Sequence, residues 1–226
     1  MSTRGRILDA AMEVFARFGF RRASMDQVAQ EAGLTRQAVY HHFKSKEALF
    51  RAAVEALHEG AFAAEVAAGK AGEAARDSLA DILAAQIDAR FRYIVCCLTE
   101  TSEADELLSE RQLQTRDLTQ AFVESHIGLH AETIDRVCAA QGLRLRGGMT
   151  ALELARCLQI AIRSFSDLRF DAGALADLGQ MVRLIVRGAV ESRAALPRAS
   201  RRAKPRDGKT RRSRRKSRPR PSRSRS

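Results

Sequence analysis

Within six residues the chain sets Arg36, Gln37, Tyr40 and His41, side chains able to recognise the edges and backbone of a nucleic acid. A guanidinium forks onto guanine O6 and N7, and a carboxamide pairs with an adenine edge, so Arg36 and Gln37 are candidate base readers. Tyr40 and His41 suit phosphate oxygens, as does Lys46 a few residues on. Ser24 and Thr35 stand where helices begin, and the free amides of such a start can hold a phosphate. A second set lies farther along. Phe91, Cys97, Phe122, His126, His130 and Phe165 combine apolar bulk with a few polar atoms, the mix that lines a small-molecule pocket in a helical bundle. Taken singly, each of those aromatics reads as ordinary core.

Other chemistries find less support. His126 and His130 have the i,i+4 spacing of a metal-ligating pair on a helix. No third His or carboxylate completes a motif, so neither a metal nor a cofactor is expected. Cys96, Cys97, Cys138 and Cys157 lack CxxC spacing and fall in apolar stretches, which reads as buried, reduced thiols. The adjacent pair would bridge only with strain. Arg90, Arg156 and Arg163 interrupt apolar helices, where each snorkels, pairs with a nearby acid, or meets an acidic ligand. No Gly-rich phosphate loop, nucleophile elbow or acid pair on one helix face is present, so the chain is not expected to be an enzyme.

These residues need helices to position them. Ile7, Leu8, Ala11, Val14, Phe15 and Phe18 form one helical stripe, with Thr3 as its expected cap and Gly19 as its expected stop. Ser24 and Gln27 form a capping box for a short helix that buries Met25, Val28, Ala29 and Ala32 and breaks at Gly33. Thr35 caps a third helix running to about Phe43. At 100° per residue, Ala38, Val39, His42 and Phe43 fall on an inner arc, opposite Arg36, Gln37, Tyr40 and His41. Two short helices joined by a Gly-containing turn make a helix-turn-helix.

Farther on, Ser45 caps a helix expected to run to about residue 68, and another is expected over about 73–98. Caps at 102–105 lead into a pattern carrying Leu107, Leu108, Leu113, Phe122, Ile127, Ile134 and Val137. A Thr150–Glu153 capping box opens the first of two long apolar helices, expected over 151–169 and 172–192. Their apolar surface exceeds what one chain needs, so pairing with a second copy is expected.

Hydrophobic residues make up 45% of the 226, aromatics 5%, and Trp is absent. That composition favours helices packed through small and aliphatic side chains over a β-sandwich. The net charge of +12 is misleading as a whole-chain property. Residues 197–226 carry 15 Lys or Arg and one acid, or +14, which leaves the body at −2. The fold class is therefore all-α: a three-helix helix-turn-helix domain (1–46), a larger helical ligand-binding and dimerisation domain (47–196), and a disordered Arg/Lys/Ser-rich tail (197–226). No apolar run approaches a membrane span and no signal-peptide block opens the chain, so a cytoplasmic protein with no membrane partner is expected.

The sequence resembles the N-terminal domain of the tetracycline-repressor (TetR) family over about residues 3–55. Gly19 to Ala29 and Ala32 to Phe50 carry the likeness. The run Tyr40-His41-His42-Phe43-Lys44-Ser45-Lys46-Glu47-Ala48-Leu49 is its most specific part. Ala23 departs from the pattern, which more often has Thr there and so one more phosphate contact. The resemblance implies a homodimer that places two recognition helices in successive major grooves and leaves the DNA when a small ligand binds. The expected function is a sequence-specific transcriptional regulator, a repressor released from a palindromic double-stranded operator by a small molecule. The alternative is an architectural DNA-binding protein acting mainly through the basic tail.

Overall fold

The computed structural model describes residues 2–97, 115–165 and 172–192, all within one compact unit. Eight helices and a miniature sheet follow in order: α1 (Thr3–Arg22), α2 (Met25–Glu31), α3 (Arg36–His42), α4 (Lys46–Ala75), α5 (Leu79–Cys97), α6 (Arg116–Gln141), β1 (Leu143–Leu145), α7 (Ala151–Phe165), α8 (Ala172–Ala189) and β2 (Val190–Ser192). The architecture is helical, as the composition implied. The expected caps at 102–105, the leucines at 107, 108 and 113, and the basic tail lie outside the described residues.

Four of the expected caps are present, among them the reciprocal Thr150–Glu153 box at α7. Ser24 and Gln27 close a reciprocal capping box at α2, Thr35 Oγ1 accepts from Ala38 N at α3, and Ser45 Oγ from Ala48 N at α4. At α1 the cap is Ser2 rather than Thr3, its hydroxyl accepting from Gly5 N. Gly19 does not end that helix but kinks it. Its φ of 71° and ψ of 163° are open only to a residue without Cβ, and helical turns resume to Arg22. The turn between α2 and α3 is a Schellman closure. Gly33 (φ 62°) is left-handed, Leu34 N donates to Ala29 O at 2.8 Å and Gly33 N to Gln30 O at 3.0 Å.

The boundary between α4 and α5 differs from expectation. Gly69 and Gly72 resemble stop signals, yet α4 runs through both and ends at left-handed Arg76. They serve close packing instead. A Cβ at Gly69 would lie 2.5 Å from Gln86 Nε2, and one at Gly72 would lie 2.9 Å from Ile82 Cγ1. The last expected helix also stops early. Residues 190–192 leave α8 and pair antiparallel with β1, Arg144 opposite Glu191 and Leu145 opposite Val190. An Arg144–Glu191 ion pair at 2.5 Å joins the two strands.

Two apolar clusters result. The first gathers Ile7, Ala11, Phe15, Val28, Val39, Leu49, Phe50 and Val54 from α1 to the first turns of α4. Its centre is three rings, Phe15, Phe20 and Phe50, with centroids 4.9–6.0 Å apart. The second gathers Leu79, Ile82, Leu83, Ile87, Ile134, Leu154, Leu158, Ile162, Leu178 and Val182 from α5 to α8. Helix α4 enters the first cluster at its start and packs along α5 beyond it. The cysteines are less buried than expected: Cys96 and Cys157 are exposed, Cys97 and Cys138 half-buried. Cys157 falls on the outer side of α7, where an amphipathic helix turns its core residues away.

Candidate nucleic-acid interface and buried polar centre

Seven residues form α3, and only Val39 among them is buried. Val39 and, just past the helix, Phe43 (5% exposed) fix α3 on the first cluster. Arg36, Gln37 and His41 are exposed and Tyr40 half-buried, so the outer arc is where the periodicity put it. His42 is a correction: expected on the inner arc, it is exposed at the helix end, its ring edge-on to His41 at 5.5 Å. Position 42 sits at the margin of that arc, and the chain leaves the helix before the position can turn inward.

The guanidinium of Arg36 is not free in solvent. It lies 3.0 Å from Asp26 Oδ2 and 5.3 Å from the centre of the Tyr40 ring. Helix α2 thus holds the Arg36 guanidinium in place. The Ser24 hydroxyl accepts from Gln27 N at 3.2 Å and donates to Gln27 Oε1 at 3.1 Å, so its proton is already engaged. Lys46 departs from expectation. Its ammonium donates to the carbonyls of Phe20, Arg21 and Ala23 at 2.9–3.1 Å and lies 4.6 Å from the Phe20 ring centre. All three N–H groups are taken, so Lys46 caps the end of α1 rather than standing ready for phosphate. Exposed carbonyls at the Gly19 kink create that demand.

Farther along α4, three helix faces meet around a buried carboxylate. Glu65 of α4 has no exposed surface. His126 Nδ1 donates to its Oε2, His130 Nε2 to its Oε1 at 2.7 Å, and Arg90 Nη1 of α5 approaches Oε1 at 3.9 Å. Burial alone would push the Glu65 carboxyl up. The two imidazole hydrogen bonds and the nearby positive charge outweigh it and hold the group well below the usual carboxylate range. Burial and Arg90 push His126 the other way from its carboxylate partner, leaving it below the ordinary imidazole value. One turn along, Gln86 Nε2 of α5 donates to Thr133 Oγ1 at 3.4 Å. His130 Nδ1 and Gln86 Oε1 are buried without a hydrogen-bond partner, a state that costs about 1–3 kcal/mol per group.

Of the expected pocket residues, the fold brings His126, His130, Phe91 and Phe122 to this centre or its edge. Phe91 is buried against the Arg90 guanidinium at 4.8 Å, and Phe122 stacks on His58 at 4.4 Å. Cys97 is two turns beyond Arg90 on α5 and interacts with Tyr93 instead; burial and the neighbouring Cys96 push its thiol up. The Phe165 side chain lies outside the described residues. Glu65, Gln86 and Thr133 escaped the sequence reading. Glu65 had a signal: it is the one charge on the buried stripe Leu57, Ala61, Glu65, Gly69 and Gly72. It supplies the carboxylate that the His126–His130 spacing lacked, yet no three His, Cys, Asp or Glu among the described residues are arranged to hold a metal ion. Each imidazole grips a different oxygen of Glu65, and Arg90 already supplies positive charge.

Residues 7–53 match the family model described as bacterial regulatory proteins, tetR family. Over these residues the chain is similar to the TetR family of regulators. That is a family of regulators rather than enzymes. Among curated relatives, the regulator SrpR of Pseudomonas putida is 57% identical over 44 residues, 20% of this chain and 21% of SrpR. UidR of Escherichia coli K12 is 44% identical over 61 residues, 27% of this chain and 31% of UidR. The match thus spans a fifth to a third of these relatives' length. Solved structures extend the likeness to the whole TetR fold. A putative TetR-family regulator from Rhodococcus has a TM-score of 0.62 at 21% identity, covering 84% of this chain and 99% of its own. SmeT, the repressor of the Stenotrophomonas maltophilia multidrug efflux pump SmeDEF, has a TM-score of 0.58 at 22% identity, covering 87% and 95%; it has also been solved as a complex with triclosan. No described helix is long and apolar enough to cross a membrane.

Proposed function

We propose that the chain is a dimeric repressor that reads a palindromic operator through α3 and releases it when a small molecule enters the domain formed by α4 to α8. The observation that carries this is the α3 surface itself. Arg36, Gln37 and His41 face solvent from a helix locked beneath by Val39 and Phe43, the arrangement a recognition helix needs to enter a major groove. Leu152 (42% exposed), Ile160 (67%) and Leu184 (61%) on α7 and α8 support pairing with a second copy. Dimerisation matters energetically, because two half-sites roughly add their binding free energies. Release follows from connectivity. Helix α4 is continuous from the Ser45 cap, two residues past Phe43, to Glu65 and beyond. A ligand favouring a different placement of Glu65 therefore moves the recognition helix, provided its affinity differs between the two placements.

Selection of bound sequences from a random duplex pool tests the reading, using the full chain, a chain ending at Leu196, and Arg36→Ala. A palindrome shared by the first two, with Arg36→Ala losing about 1–3 kcal/mol and relaxing one base position in each half-site, is the expected result. Recovery of no motif from either chain would overturn it. The second reading rests on the 15 cations of the tail. It predicts binding indifferent to sequence and to Arg36, with a salt dependence that flattens on truncation at Leu196.

A further inference from the structure

The polar centre between α4, α5 and α6 is short of donors. Glu65 is ionised, so the two ring nitrogens facing it each carry a proton. That leaves His130 Nδ1 with no partner although His130 is fully buried. Thr133, three residues along the same face of α6, donates to Leu129 O at 2.9 Å and accepts from Gln86 Nε2. This fixes the orientation of the carboxamide and leaves Gln86 Oε1, also buried, as a second acceptor without a donor.

Charge narrows what can supply the missing donors. Glu65 and Arg90 close one opposite pair. An incoming carboxylate would lie beside Glu65 and an incoming ammonium beside Arg90, each a like charge in a medium that screens poorly. A neutral donor meets neither penalty. Aromatic faces border the centre: Phe62 is tilted against His126 at 5.6 Å, and Phe122 is stacked on His58 one turn away. We propose that this centre binds a neutral molecule carrying an O–H or N–H donor on an aromatic body, with His130 Nδ1 and Gln86 Oε1 as its acceptors. The consequence for DNA rests on the repressor reading above; the binding itself does not.

Calorimetry on the full-length chain separates the possibilities with three compounds sharing one ring system. 2-Naphthol has the donor, 2-methoxynaphthalene lacks it, and 2-naphthoate replaces it with a negative charge. The expected result is binding of 2-naphthol on the order of tenfold tighter than either of the others. Gln86→Met keeps the chain length, removes one acceptor, and should shrink that preference; should it fail to fold, the ratio in the unaltered chain still decides. Equal affinity for the naphthol and its methyl ether, preference for the naphthoate, or no binding by any of the three would overturn the proposal. Operator binding measured on the same samples keeps the two readings apart. An operator complex with no naphthol binding removes this site and leaves the repressor standing. Tight naphthol binding with no release of operator leaves the site standing and removes ligand-driven release.

Discussion

The core around α1, α2 and α3 buries no charged side chain among the described residues, whereas the core between α4, α5 and α6 closes over a carboxylate, a guanidinium and two imidazoles. In the first, apolar packing and caps hold a short helix rigidly enough to present its outer arc. In the second, correct assembly depends on every charge meeting its partner, and anything that competes for a partner shifts the helices. A buried ion cluster adds little net stability compared with apolar residues, but removing one member leaves the others uncompensated. The contrast is between an apolar platform and a core held by paired charges.

The largest effect should follow from Glu65→Gln. Arg90 is 4% exposed and loses the nearby charge that balances it, so unfolding in urea should show a loss of about 3–5 kcal/mol. The loss should fall on α4 to α6. Hydrogen exchange should show protection in α6 collapsing while α1 keeps its own; a uniform loss would mean that the two cores unfold as one. Gly69→Ala comes next. Its Cβ has no room beside Gln86, and overpacking of this kind costs about 1–3 kcal/mol. A midpoint equal to that of the parent chain would mean that α4 and α5 can separate freely there.

How far the sequence revealed each region follows the same divide. The helix-turn-helix was legible because its determinants are local: Ser24, Gln27, Thr35 and Ser45 each act within a few residues, and Val39 and Phe43 fall inward by helical geometry, whereas His42 at the margin of that arc does not. Lys46 was misread because its partners are carbonyls more than twenty residues earlier, exposed only when Gly19 kinks α1. Beyond α3 the helices were visible but their limits were not. Gly69 and Gly72 look like breaks until the facing Gln86 and Ile82 are known, and residues 190–192 become a strand only beside β1. The polar centre was half visible. The His126–His130 spacing pointed to a site, but Glu65 lies sixty-one residues away from His126, and its place on the buried stripe of α4 marks it as buried without naming its partners.

Acid should also separate the two cores. Burial, helped by Arg90 on α5, holds His126 below its ordinary value of 6.5, against Glu65 on α4 and with His130 beside it on α6. The unfolded chain therefore takes up a proton near pH 6.5 that the folded chain does not. Stability falls as pH drops below about 6.5, at no more than about 1.4 kcal/mol per pH unit for that one proton. Glu65, held below 4.5, has the same sign and adds its loss only below about pH 4.5. Urea unfolding between pH 7 and 5 should show the slope, and His126→Phe should flatten it. A slope unchanged in that variant would place the titrating group elsewhere.

The smallest effect on stability, and the most informative about coupling, concerns the rim where α6 begins. Arg51 of α4 grips Asp117 through two bonds of 3.0 and 2.6 Å, and these lower the Asp117 pKa to about 2, more than offsetting burial. Both groups face solvent, so Asp117→Asn should leave the urea midpoint nearly unchanged. The position of the pair matters more than its strength. Arg51 adjoins Phe50 in the first core, and Asp117 opens the helix whose His126 and His130 hold Glu65. Helices α4 and α6 are thus joined at positions 51, 65 and 73 of α4, and the first two joints lie about 21 Å apart along its axis. The joint at position 51 alone ties the first turns of α4 to α6; without it those turns can shift while positions 65 and 73 stay held. We predict that Asp117→Asn changes operator affinity without touching DNA and without changing the midpoint. If both quantities stay at their parental values, α4 carries the signal by itself.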